Sequence, residues 1–105
     1  MGSMEDQLTR HTSYLTKRDL ENIAKTFRWK YHVTLIESTA GLWTVEIRFE
    51  GQNGIYGVET SRGVLKIWRN LSNAIIFVQK SCGYARDVVV DVHGWKLVKI
   101  NAIEA

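Results

Sequence analysis

Three histidines, one cysteine and a short acid-x-histidine run are the residues of this chain whose types could do chemistry. Asp91 and His93 in "DVHGW" stand two apart, and residues i and i+2 of a strand share a face. A carboxylate beside an imidazole is the start of a general-base pair. The other readings are simpler: a polar pair at a strand end leading into the Gly94 turn, and His32 as an exposed strand residue opposite Tyr31 and Val33. His11, His32 and His93 are far apart, and none has a second histidine or a cysteine at metal-ligand spacing such as H-x-x-x-H or C-x-x-C. "GQNGIYG" has glycines at 51, 54 and 57 but no lysine and no strand-to-helix context, so it reads as a hairpin turn and not as a phosphate loop. No catalytic residue, metal site or cofactor is expected.

Cys82 is the single cysteine, which rules out an internal disulfide, and its place on an apolar helix stripe suits a packed thiol. That usage fits a reducing cytoplasm. The chain has 105 residues, enough for one core, with 45% apolar and 24% charged residues, an ordinary globular balance. A net charge of +3 gives weak attraction for anions but does not by itself make a nucleic-acid surface. No apolar run reaches the roughly 18 to 20 residues of a membrane span. "MGSM" reads as a cloning remnant ahead of Met4. Residues 1–13 are therefore expected to be a tag remnant and flexible lead, with 14–105 forming a single domain.

The elements that must position these residues follow from periodicity. Leu20, Ile23, Ala24 and Phe27 fall at i, i+3, i+4 and i+7, which predicts a helix from about Lys17 to Arg28. Thr16 is its N-cap, and Asp19 completes a shortened capping box. From Tyr31 the period becomes two. "YHVTLI" and "LWTVEIRFE" read as strands, the second with Trp43, Val45, Ile47 and Phe49 inward and Thr44, Glu46, Arg48 and Glu50 on a wet face.

Short turns then separate "IYGVET" and "VLKIWR", a third and a fourth strand. A second helix is capped by Asn70, carries a core stripe of Leu71, Ala74, Ile75, Val78 and Cys82, and stops at a left-handed Gly83. "DVVVDV" is a covered strand, and "WKLVKI" an edge strand or tail. The expected fold is α+β: one antiparallel-rich sheet, a meander of about four strands plus one or two C-terminal strands, packed with two helices in the order α-β-β-β-β-α-β(-β).

From Thr60 to Val92 the chain resembles small accessory proteins of plasmids and integrative elements, the partition-associated ParC-type family. The matching residues are Arg62, Gly63, Trp68, Leu71, Ala74, Phe77, Gly83 and Asp91, in a segment that covers about a third of the chain. The resemblance implies a mobile-element accessory protein and carries over no catalytic residues.

Two surfaces are candidates for binding. Ile76 and Phe77, with Lys80 beside them, lie off the core stripe of the second helix and are the expected interface for a protein partner or a second copy. Arg18, Lys25, Arg62, Lys66 and Arg69, with Trp68 nearby, are the alternative, a basic and aromatic surface for nucleic acid. The expectation is a non-enzymatic accessory protein of a plasmid or phage that acts through protein contacts, as a homodimer or inhibitor.

Overall fold

A computed structural model describes residues 13–39 and 41–100. One six-stranded sheet carries two helices on one face. The elements in chain order are β1 (Ser13–Thr16), α1 (Lys17–Thr26), β2 (Tyr31–Thr39), β3 (Leu42–Phe49), β4 (Tyr56–Glu59), α2 (Leu71–Ser81), β5 (Asp87–Val92) and β6 (Trp95–Ile100). Across the sheet they run β1-β4-β3-β2-β5-β6.

The α+β class and the pairing of one sheet with two helices are as expected, but the sheet is mixed. β1 runs parallel to β4 and β2 parallel to β5, while β2–β3, β3–β4 and β5–β6 are antiparallel. Besides the parallel β2–β5 pairing, two expected assignments change. Ser13, the last residue of the expected lead, joins Tyr14–Thr16 in an edge strand that was not expected, and the rest of the expected lead lies outside the described residues. "VLKIWR" is not a fourth strand; it touches the sheet only through the isolated bridges Glu59–Leu65 and Trp43–Trp68.

Helix α1 begins where the capping box places it. Thr16 Oγ1 accepts from Asp19 N at 3.1 Å, and Thr16 N donates back to Asp19 Oδ2 at 3.4 Å. It ends two residues sooner than expected because Trp29 turns left-handed, φ 62°. That backbone costs a side-chain-bearing residue about 1–2 kcal/mol. It is held by Trp29 N donating to Tyr84 O at 2.8 Å and by the edge of one ring against the other, centroids 5.7 Å apart.

Asn70 caps α2, its Oδ1 accepting from Asn73 N at 2.9 Å. The helix closes on Cys82, φ −126°, so Gly83 does not supply the expected left-handed cap.

The core lies between the helices and the sheet. Tyr31, Val33 and Leu35 of β2 and Trp43, Val45, Ile47 and Phe49 of β3 point into it, joined by Leu15, Leu20, Ala24, Val58, Ala74, Val78 and Cys82. Burying a side chain such as Leu20 contributes about 2 kcal/mol. Two residues assigned to the wet face of β3 are buried as well, and Glu46 is only 3% exposed. Its register neighbours explain the crowding: Thr34 on one side, and on the other Gly57, beyond which stands Tyr14 of β1. The helices lie over β1 to β4, α1 above β1 and β4 and α2 above β2 and β3, so their cover thins toward β5 and β6. The molecule is drawn out accordingly, 48 × 26 × 24 Å.

Candidate functional site

Strand β6 is the most exposed regular element among the described residues. The β5–β6 hairpin turns through two residues, His93 (φ 49°) and Gly94 (φ 88°), both left-handed as a type I′ turn requires. Alternation along β6 puts Trp95, Leu97 and Lys99 on the helix side of the sheet, opposite Val92, Val90 and Val88. Lys96, Val98 and Ile100 point the other way, opposite Asp91, Val89 and Asp87. The valines of β5 are half-buried, but on β6 Trp95 is 74% exposed, Leu97 58%, Val98 54% and Ile100 74%. Trp95 and Leu97 on one face and Val98 and Ile100 on the other are each more than half exposed, so this edge strand leaves large apolar side chains in water on both of its faces.

Edge strands normally avoid this with charge, proline or a bulge. Lys96 and Lys99 are the sole charges on β6, and its pairing with β5 runs without a register shift. Beside the hairpin, a depression of about 240 Å³ between α2 and β5 is lined by Ile75, Val78, Cys82, Val88 and Lys99.

Comparison with protein-family models, curated proteins and solved structures gives no match.

A second feature is a cleft of about 790 Å³ between the start of α1, β4 and α2. Val58, Trp68 and Phe77 form its apolar floor, and Lys17, Arg18, Lys66, Glu21 and Glu59 its charged rim. Phe77, expected at an interface, is part-buried here, its ring 4.9 Å from that of Trp68. The Lys66 ammonium lies 5.7 Å from the Trp68 centroid.

The structure thus brings Arg18 and Lys66 together and adds Lys17, which sequence reasoning passed over. Lys25 lies apart, in a 400 Å³ depression shared with Lys80. Arg62, in the Thr60–Gly63 turn, and Arg69, before the cap of α2, are exposed and line neither. Ile76 is 45% exposed on the outer face of α2.

The residues that suggested chemistry are arranged differently from the sequence expectation. His93 Nε2 is 3.1 Å from Glu37 Oε1, while Asp91 sits opposite Lys96 across the hairpin. Asp91, His93 and Glu37 line one shallow depression of about 370 Å³. His32 is held between two carboxylates, Nδ1 3.0 Å from Asp87 Oδ2 and Nε2 3.0 Å from Glu50 Oε2. Only the doubly protonated ring donates to both. Among the described residues no group of three His, Cys, Asp or Glu side chains is placed to hold a metal ion; His11 lies outside them.

Cys82 is buried, and burial, with the Glu21 carboxylate adding to it, pushes its thiol up to about 12. A thiol held protonated in this way is a packing group. No described helix is long and apolar enough to cross a membrane.

Proposed function

We propose that the chain is a non-enzymatic accessory protein that works by protein–protein contact, with the β5–β6 hairpin as its docking edge. The observation that carries this reading is the run of four exposed apolar side chains on β6. An exposed edge offers a partner main-chain hydrogen bonds as well as apolar contact, the mode called β-augmentation. The resemblance of residues 60–92 to ParC-type proteins supports a setting on a plasmid or phage, and the single buried thiol suits the cytoplasm.

The test is a triple substitution, Trp95→Thr, Leu97→Thr and Ile100→Thr, which keeps strand-forming residues and removes the apolar patch. The variant is expected to keep the circular dichroism spectrum and lose self-association together with retention of host partners. Unchanged sedimentation and unchanged partner capture would sink the reading.

The cleft motivates a second reading, a nucleic-acid accessory protein. Lys17, Arg18 and Lys66 outnumber Glu21 and Glu59 on the cleft's rim and stand beside an aromatic floor. Binding to single-stranded DNA should then weaken with salt. Replacing Arg18 and Lys66 by Ser should reduce the slope of log K against log salt by about 1.4, two phosphate contacts' worth. Absence of a gel shift at low salt removes this alternative.

A further inference from the structure

We propose that the partner of the β6 edge is a second copy of the chain, joined by antiparallel β6–β6 pairing about a twofold axis through Val98, so that two six-stranded sheets become one. This inference rests on the reading of β6 as a docking edge and goes beyond it by naming the occupant and its register.

Hydrogen-bond phase comes first. In a two-residue hairpin the residues flanking the turn form a hydrogen-bonded pair, here Val92 and Trp95, so Trp95 turns its backbone groups inward to β5. Bonded and non-bonded positions then alternate. Leu97 and Lys99 also bond inward, while Lys96, Val98 and Ile100 point their N–H and C=O groups out from the edge. Among the described residues nothing pairs with that side of the strand.

Symmetry then restricts the register. An isologous sheet-extending pair has its axis normal to the sheet, and facing residues must point to the same face. With the axis at Val98, Val98 faces its own copy and Lys96 faces Ile100, so all three outward residues of each strand are paired. With the axis at Leu97, Ile100 would face Gly94 in the turn, and that pairing is lost.

Charge agrees with the Val98 register. No lysine faces a lysine, since Lys96 meets Ile100 of the second copy and Lys99 meets Leu97. On the face away from the helices the cross-strand row becomes His32, Asp87, Ile100, then Lys96 and Asp91 of the second copy, so Lys96 keeps Asp91 on one side and meets apolar Ile100, with Asp87 one strand beyond, on the other. On the helix face the row Val33, Val88, Lys99 is continued by Leu97 of the second copy, beside the depression lined by Ile75, Val78 and Cys82. The contact covers Val98, Leu97 and Ile100 together, which a monomer leaves in water.

The test uses sedimentation of the full chain across the micromolar range with two substitutions. Val98→Pro removes an outward N–H at an edge position, where proline is tolerated. Two such donors are lost per symmetric pair, so the dimer should weaken about 100-fold with the monomer fold unchanged by circular dichroism. Val98→Cys should give a disulfide-linked dimer on oxidation with diamide, because bonded antiparallel pairs hold their Cα atoms about 5.5 Å apart, inside the disulfide range. Leu97→Cys should not, being offset from its copy by a diagonal of about 7–8 Å. The parent chain, with Cys82 alone and buried, should stay uncrosslinked.

A chain monomeric throughout the range overturns the second copy. If host-partner capture still falls in Val98→Pro, the docking edge survives with a different occupant; if capture is also unchanged, both readings fall. A dimer that persists in Val98→Pro, or that crosslinks through Leu97→Cys and not Val98→Cys, overturns the pairing proposed.

Discussion

Trp43 and Trp68 exchange both of their backbone hydrogen bonds, Trp43 N to Trp68 O at 2.8 Å and Trp68 N to Trp43 O at 2.9 Å. This one bridge ties an otherwise irregular segment to the start of β3 and turns the Trp68 ring onto Phe77. Trp68 is therefore a core residue that also floors the basic cleft. Trp68→Ala should cost about 3–5 kcal/mol in urea-unfolding stability, the range for removing a large buried aromatic. A loss under about 1 kcal/mol would mean that the segment is not anchored there.

That bridge also shows where sequence reasoning stops. α1 and β3 were legible because their signals are local: a 3.6 period with a cap at Thr16, and clean alternation from Trp43 to Phe49. Val64 to Arg69 alternates almost as well, yet its pairing is decided by β4 and β3 from elsewhere in the chain, and only Leu65 and Trp68 find a partner. β1 was missed because four residues carry too little pattern, and their strand state comes from the parallel pairing with Tyr56–Glu59. Parallel pairing in general leaves no turn signature between its strands, which is why the β2–β5 contact was out of reach, and with it the His32–Asp87 contact. β6 was anticipated as an edge strand or a tail, and its exposure depends on how far the helices extend over the sheet.

Tyr31 is fully buried, and among the described residues its hydroxyl meets no partner at full hydrogen-bond geometry, although the Tyr84 backbone lies near enough to favour its ionised form. An unsatisfied buried hydroxyl costs about 1–3 kcal/mol, whereas its ring packs usefully on Phe49 with centroids 5.7 Å apart. Tyr31→Phe should therefore raise stability by about 1 kcal/mol at neutral pH. A loss of similar size would point to a polar partner for the hydroxyl in solution.

Alkaline pH should unfold the protein through Tyr31 and Cys82, the first of which feels the charge of the second. Burial holds the Cys82 thiol up at about 12 against an ordinary 9.0. Burial also lifts the Tyr31 phenol well above the tyrosine range; Cys82 adds to that shift and the Tyr84 backbone opposes it. Both are acids whose folded-state pKa is raised, so the unfolded chain releases their protons first. Their contribution is intact below about pH 9 and drains away as pH climbs from 9 toward 12. Chemical denaturation at several pH values should show this decline, and Tyr31→Phe with Cys82→Ala should flatten it. An equally steep decline in the double variant would assign it to other groups.

Ile76 and Phe77 are adjacent in sequence, but the structure gives them different surroundings. Phe77 lies part-buried against Trp68 and helps floor the cleft, while Ile76 is nearly half exposed on the outer side of α2. Phe77→Lys should destabilise the fold by about 2–3 kcal/mol, since it removes an aromatic contact and places a charge against apolar surface. Ile76→Lys should stay within about 0.5 kcal/mol of the parent, as surface substitutions do. The pair separates stability from binding: a binding defect in Ile76→Lys at unchanged stability would extend the docking surface from β6 onto α2. Binding that follows stability alone, lost in Phe77→Lys and kept in Ile76→Lys, would confine it to the hairpin.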